Sequence, residues 1–113
     1  MDPVPVGPAS SVIEPDKWLI LDVDDGKGEP FQKVFATWAG GYTTGDSWRL
    51  NSGIKNTIDD GDCWIFEGES GSKYRCHKKM QGVAGASNNY VLDTLLKKFK
   101  DQLTINNNDV LIK

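Results

Sequence analysis

The sequence predicts an α+β fold in which an antiparallel β-meander of five to six strands packs on one C-terminal helix. Short segments with alternating apolar side chains fill the middle of the chain, and Gly- and Asp-rich turns separate them. A helical spacing of leucines follows, at about residues 89–103. Strands joined by short turns pair as neighbours, so we expect one curved, partly barrel-like sheet around the helix.

Length and composition set the class of protein. The chain has 113 residues, which corresponds to one domain that needs no metal or disulfide to hold its core. Its two cysteines are too few for a disulfide framework. No apolar run approaches the ~20 residues of a membrane helix, and no signal peptide is visible. We therefore expect a cytoplasmic protein without cofactor or membrane association.

The first sixteen residues differ from the rest, because "MDPVPVGPASSVIEPD" holds four of the five prolines. Proline fixes φ and removes a backbone donor, so neither a helix nor a central strand suits this segment. We predict an extended arm, residues 1–16, before a single domain, residues 17–113. The arm is either a loosely held tail or a segment whose apolar side chains pack on another subunit. Those side chains are Val4, Val6, Val12 and Ile13.

The strands follow from apolar periodicity. "KWLILDV" is apolar on both faces, as is typical of a central strand. After the turn "DDGKGEP", a second strand is predicted in "QKVFATWAGG", and a flexible loop in "GGYTTGD". "SWRLNSGI" and "IKNTI" indicate two more short strands. "CWIFE" and "KYRCHK" then form a hairpin closed through "GESGS".

The pattern changes to a helical period after a Gly-rich loop. Ser87 to Asn89 offers N-cap residues, and lysines occupy the C-terminal half of the predicted helix. The tail "TINNNDVLIK" is predicted as two short strands around an Asn turn. The apolar stripe consists of Leu92, Leu95, Leu96, Phe99 and Leu103.

The faces of the hairpin depend on the parity of its loop. A loop with an even number of residues gives the same two faces in either register, whereas an odd loop exchanges the partners. The even loop places an apolar core face on one side, with Cys63, Ile65, Glu67, Tyr74 and Cys76. It places an aromatic and cationic face on the other, with Trp64, Phe66, Lys73, Arg75 and His77.

Cys76 and His77 cannot form a catalytic pair within one strand, because neighbouring side chains point to opposite faces. The chain has no other histidine. A structural zinc site needs four ligands, and the only cysteine and histidine ligands here are Cys63, Cys76 and His77. We therefore assign no catalytic residue and no metal ligand.

The aromatic and cationic face is the candidate binding surface. Trp64 near Arg75 or His77 permits cation–π contact, although the same residues could pack under the helix with their basic stems alongside. A patch of this kind would bind an anionic or planar ligand or a protein partner. Four tryptophans exceed what one small core holds, so some would line a cleft or interface. The predicted ligand-binding residues are Trp48, Arg49, Trp64, Arg75 and His77.

Three functions follow, and the first is favoured. The chain is a non-enzymatic ligand-binding or protein-interaction module, self-associating as a homodimer or binding a protein or small molecule. Alternatively, it is a small enzyme with His77 as general base near the loop Gly40–Asp46, aided by Asp46 or Asp62. A third reading is single-stranded nucleic-acid binding, against which the net charge of −3 argues.

A resemblance covers about residues 47–82. It rests on W-x-L-N-S-G-I in "SWRLNSGI" and on S-G-S-x-Y-x-C-H in "DDGDCWIFEGESGSKYRCHKKMQG". These patterns resemble small bacterial single-domain proteins of the mobile integron gene-cassette type. The resemblance implies a bacterial, cytoplasmic, dispensable protein with a small β-rich fold. It carries no established activity and therefore implies no catalytic residue.

Overall fold

The computed structural model describes residues 12–39 and 46–106, and these residues form eight strands and one helix. The α+β class with antiparallel strands and a C-terminal helix is confirmed. In chain order the elements are β1 (Val12–Ile13), β2 (Lys17–Val23), β3 (Phe31–Trp38), β4 (Ser47–Leu50), β5 (Ile54–Asp60), β6 (Cys63–Gly68), β7 (Lys73–His77), α1 (Ala86–Lys98) and β8 (Leu103–Asn106).

The strands form two four-stranded sheets instead of the one curved sheet expected. The central sheet has the order β4-β3-β2-β8 and the outer sheet the order β1-β7-β6-β5. All pairs are antiparallel except β1 with β7, which is parallel. Within the described residues, no pairing closes either sheet into a barrel.

The chain changes sheets between β4 and β5, and Asn51 marks the exit. Its backbone N–H donates to the Val34 carbonyl at 3.1 Å, while its buried Oδ1 accepts from the Val34 N–H at 2.8 Å. The side chain thus replaces the backbone carbonyl in the last rung of the ladder, as Asn does in turns. The backbone is then directed towards the outer sheet, so β4 and β5 do not pair as a meander would require.

The core has two layers because the central sheet is covered on both faces. Its first face packs on the outer sheet through Trp18, Ile20, Val34, Ala36, Phe66, Tyr74 and Cys76. Its second face packs on α1 through Leu21, Val23, Phe35, Leu92 and Leu103. β2 is apolar on both faces because it is a central strand covered on both sides, as predicted. The helix covers the central sheet on the side away from the outer sheet.

The helix is displaced from the predicted range, since it begins at Ala86 and ends at Lys98. The Phe99 carbonyl accepts from the Gln102 and Leu103 N–H groups at 2.7 and 2.8 Å, and this turn starts β8. Leu103 fits the leucine stripe because it is buried in the same layer as Leu92, but it belongs to a strand. Among the described residues, no helix has the length and apolar character needed to span a membrane.

Some predictions fall on residues 1–11, 40–45 and 107–113, which lie outside the described residues. They are most of the arm, most of the "GGYTTGD" loop and the second strand of the tail. From the arm, Val12 pairs with Lys73 and Ile13 with Tyr74 of the same chain. The first predicted strand of the tail is β8.

Asn88 ties three segments together. Its side chain is buried, and its Nδ2 donates to the carbonyl oxygens of Trp38 (3.0 Å), Ser47 (2.8 Å) and Ala84 (2.8 Å). These carbonyls end β3, begin β4 and precede α1. Since an amide has two hydrogens, one of them is shared between acceptors. A single amide therefore holds the start of β4 against the helix.

We predict that Asn88→Leu lowers the free energy of unfolding by about 2–3 kcal/mol, because buried carbonyls lose their donor. Urea unfolding followed by circular dichroism measures the change. Asn89→Leu is the matched control, since Asn89 is exposed one residue further on and makes only a 3.4 Å bond to Gly85. Equal stability of the two variants would show that the Asn88 contacts contribute nothing.

Candidate ligand-binding surface

The hairpin has an odd loop, so the faces predicted from an even loop are wrong. Cys63 pairs with His77, Trp64 with Cys76 and Phe66 with Tyr74. The Gly68 N–H donates to the Ser72 carbonyl at 2.8 Å, which leaves Glu69, Ser70 and Gly71 in the turn. Gly71 has a φ of 98°, the left-handed position that three-residue hairpin loops require.

The exchange of partners separates Trp64 from the two basic residues predicted beside it. Trp64 now shares the core face with Cys76, while Arg75 and His77 lie on the opposite face with Cys63. The predicted separation of Cys76 from His77 is confirmed, since Cys76 is fully buried and His77 is exposed.

Trp64 does make a cation–π contact, but the cation belongs to Lys78. Its Nζ lies 4.5 Å from the indole centroid and 2.7 Å from Asp59 Oδ1. Strand alternation could have indicated this partner. Lys78 lies two residues after Cys76, the residue that pairs with Trp64, and therefore falls on the same face of the sheet as both. The hydrogen bond from Lys78 holds the pKa of the Asp59 carboxyl below its ordinary value, against a smaller opposing effect of desolvation. The exposed ring face of Trp64 is therefore already occupied.

We predict that the Asp59 carboxyl titrates below 3.8, its ordinary pKa, and that Lys78→Gln moves the midpoint back towards that value. Because the folded pKa is depressed, this carboxylate stabilises the fold above the unfolded pKa and loses that contribution as the pH falls through the folded pKa. Carbon-detected NMR of the side-chain carboxyl measures the midpoint. Lys79→Gln is the control. An unchanged midpoint in Lys78→Gln would show that the contact does not persist in solution.

Arg75 already has two anionic partners. Its Nε lies 3.4 Å from Asp60 Oδ2, and a terminal nitrogen lies 3.8 Å from Glu14 Oε2. These carboxylates already neutralise the positive charge of Arg75, which the sequence predicts to bind an external anion. His77 lies on the same outer face, and its carbonyl accepts from Trp18 Nε1 at 2.6 Å. The backbone of His77 therefore supports the core, while its side chain is exposed.

Both cysteines are buried and neither forms a disulfide. Burial raises the pKa of the Cys76 thiol, and the nearby Cys63 raises it further. A thiol that stays protonated and covered is a poor nucleophile. This environment agrees with the packing role assigned to Cys76 and gives no support to thiol chemistry.

We predict that neither thiol reacts within minutes with a disulfide reagent such as dithionitrobenzoate in the native protein, whereas both react in 8 M urea. Absorbance of the released thiolate counts the reactive groups. Cys63→Ser and Cys76→Ser assign each group. Rapid modification of native Cys76 would contradict its burial between the sheets.

Trp48 lies on β4, the edge strand of the central sheet, and faces the helix. It pairs with Thr37, and its ring packs on Phe35 with centroids 5.7 Å apart. The Trp48 residue is nevertheless 43% exposed. Between it and α1 runs a groove of about 250 Å³, which we call the helix groove. The helix groove is lined by Trp48, Tyr90, Val91, Thr94 and Leu95.

Arg49 pairs with Ala36 and therefore faces the other side of the central sheet, towards the outer sheet. It borders a hollow of about 340 Å³, which we call the Arg49 hollow. Arg49 also makes a side-chain hydrogen bond with the Tyr74 phenol. Burial raises the pKa of Tyr74, and the charge and hydrogen bond of Arg49 lower it to a smaller extent. The residues that line the Arg49 hollow are Ile13, Trp38, Ser47, Trp48 and Arg49.

The peptide groups of β4 point alternately towards its neighbour β3 and away from it. The bond from the Asn51 N–H to Val34 fixes the phase of this ladder, and every pair along it keeps the same register. The alternation directs the N–H and C=O groups of Trp48 and Leu50 away from β3. Among the described strands, β3 is the only one that pairs with β4.

In the loop of the alternative enzymatic site only Asp46 can be described, because residues 40–45 lie outside the described residues. Asp62 and His77, the other two residues of that site, are both exposed. The Asp46 carboxylate accepts from the Ser87 N–H at 3.2 Å and would collide with a side chain at Gly85, whose φ is 88°. A carboxylate here stabilises a helix N-terminus. The helix is thus capped by Gly85 and Asp46 and not by Ser87 to Asn89. The role of His77 as a base stays a prediction.

The five predicted ligand-binding residues thus occupy separate places. Trp48 and Arg49 are adjacent on β4 but face opposite sides, Trp64 lies against Lys78, and Arg75 and His77 lie on the outer face. The sequence reasoning missed Tyr90, which is 73% exposed. Its position off the leucine stripe was a signal for an exposed aromatic residue. Within the described part of the chain, no cluster of acidic, histidine or cysteine side chains could hold a metal.

Comparisons with protein families, with curated proteins and with solved structures find no match. The resemblance to integron-cassette proteins therefore stays a prediction.

Proposed function

We propose that the chain is a non-enzymatic interaction module that binds an extended segment of a partner protein as an added strand along β4. One observation carries the proposal. A strand at the edge of the central sheet presents an exposed tryptophan on one face and an arginine on the other, each beside a hollow. In strand addition, main-chain hydrogen bonds supply affinity and pockets for alternate side chains supply specificity.

The edge of β4 offers suitable main-chain groups. Trp48 and Leu50 direct two donors and two acceptors outward, and an added strand can pair with them in the plane of the sheet. Asn88 fixes the beginning of β4 and Asn51 fixes its end, so the edge is held in its extended form before a partner arrives. A pre-organised edge reduces the ordering cost of binding.

Of the residues on this edge, Trp48 is expected to contribute most to the binding energy. Tryptophan and arginine lead the residues that dominate binding energies at interfaces. Phe35 supports the inner side of the indole, so the ring needs little reorganisation to contact a partner. By contrast, the Trp64 ring already contacts Lys78, and Arg75 already contacts two carboxylates.

The proposal also includes a reducing, cytoplasmic compartment and no cofactor. Two buried cysteines without a disulfide support that compartment.

We predict that Trp48→Ser weakens binding of extended peptides by about tenfold or more, as expected for an interface hot spot. Phage selection from a random dodecapeptide library against the full chain supplies the peptides, and fluorescence anisotropy of the synthetic peptides gives the affinities. Ile58→Ser is the matched control, because Ile58 is 41% exposed on β5, an edge strand of the other sheet. The peptide affinity of that variant should stay within about twofold of the affinity of the parent chain.

Amide hydrogen exchange distinguishes strand addition from other modes of binding. The amides of Trp48 and Leu50 should become protected when peptide binds, whereas the Arg49 amide already faces β3. Saturable peptide binding that protects β5 instead of β4 would overturn the proposed site. A library that yields no saturable binder would overturn the proposed function.

A further inference from the structure

We infer that the segment bound at β4 carries a large apolar residue directly adjacent to an acidic residue. The apolar side chain enters the helix groove beside Trp48, and the carboxylate meets Arg49 on the opposite face. This inference rests on the proposed function, since it describes the side chains of the strand added at β4.

The pattern follows from sheet geometry. Side chains directly opposite each other on neighbouring strands lie on the same face, so the residue across from Trp48 is placed on the helix side. The next residue of the partner is then placed across from Arg49 on the other side. Two adjacent residues of the bound segment therefore meet two different environments.

The helix groove is suited to an apolar side chain. Its lining residues carry no charge, and the Thr94 hydroxyl already donates to the Tyr90 carbonyl at 2.9 Å. Its volume of about 250 Å³ is below the roughly 300–1,000 Å³ of small-molecule pockets. The groove therefore fits one large side chain better than an independent ligand. Covering Trp48 and Tyr90 would remove the most exposed aromatic surface of this face from water.

The Arg49 hollow is suited to a carboxylate. Arg49 is the one charged residue among the described residues that line it, and Trp38 and Ile13 form its apolar walls. The planar guanidinium matches a carboxylate with two parallel hydrogen bonds. An acidic side chain reaching this hollow would complement the Arg49 charge in partly apolar surroundings, where such a bond is stronger than in bulk water.

Charge also argues against a second copy of the chain as the occupant. Within the strand Ser47–Leu50, two copies of β4 related by a two-fold axis use the outward groups of both Trp48 and Leu50 only in the register that pairs each Trp48 with Leu50 of the second copy. That register places Arg49 opposite Arg49 of the second copy, at a pair where side chains are closest. Like charges directly opposite each other destabilise a sheet. We therefore commit to a partner of different sequence.

The test uses the full chain and the same random dodecapeptide library. Peptides selected by the parent chain should share an Asp or Glu next to Leu, Ile, Phe or Trp. Arg49→Glu should select Lys or Arg at the acidic position. Arg75→Glu introduces the same charge change on the outer face and should keep the acidic preference. Thermal unfolding checks that the variants remain folded.

A charge-exchange cycle gives the decisive affinities. Replacing the peptide's acidic residue with Lys should weaken binding to the parent chain by about tenfold. The Arg49→Glu variant should bind this Lys peptide with most of the lost affinity recovered. Peptides that protect the Trp48 and Leu50 amides without any acidic preference would overturn this inference and leave the proposed function standing. A concentration-dependent dimer in light scattering that Trp48→Ser abolishes would also overturn it, because a second copy would then occupy β4. Absence of any peptide binding would instead remove the proposed function itself.

Discussion

Burial of β2 and β3 on both faces is the constraint on which the rest of the structure depends. One face of the central sheet needs the outer sheet and the other needs α1, so the chain must leave the central sheet after β4, build a second sheet and return for the helix. Among the described strands of the central sheet, only the flanking strands β4 and β8 keep an edge. The binding surface that we propose therefore lies at an edge of the central sheet and not on one of its faces, because both faces are used for packing.

Buried amides fix the position of that edge. Asn88 binds the carbonyl at the start of β4, Asn51 completes the ladder at its end, and Asp46 caps the helix that forms one wall of the helix groove. Each contact joins segments far apart in sequence. The buried Asn88 amide and the Asn51 Oδ1 are hydrogen-bonded, as buried polar groups usually are, whereas the buried Asn51 Nδ2 has no hydrogen-bond partner among the described residues. Trp48 and Tyr90 are exposed beside each other, while Leu50, also on β4, packs in the apolar layer under the helix.

Local periodicity was enough to predict most strands, the helix and the separation of Cys76 from His77. It could not set the loop parity of the hairpin, because both faces of β6 carry apolar residues: Cys63 and Ile65 alternate with Trp64 and Phe66. The left-handed Gly71 decided the register, and with it the neighbours of Trp64. The change of sheet at Asn51 could not be predicted from local periodicity either, since it depends on a side-chain contact with Val34, a residue distant in sequence. That Trp48 and Arg49 bind a ligand stays a prediction, and their placement on an edge strand was not predicted.

Arg49 and Arg75 differ in the charge of the groups that already contact them, since Arg49 is hydrogen-bonded to the neutral Tyr74 phenol and Arg75 lies beside two carboxylates. Arg75 contacts two carboxylates on an exposed sheet face, where such pairs contribute little and are screened by salt. Arg49 borders a partly apolar hollow beside an edge able to hold a backbone. The chain as a whole carries a net charge of −3, so its long-range field does not attract an acidic partner. Beyond about 8 Å that field is largely screened at physiological salt. In the proposed mode of binding, recognition at β4 would therefore come from contacts made after encounter, in which strand hydrogen bonds and Trp48 supply affinity and Arg49 supplies selectivity.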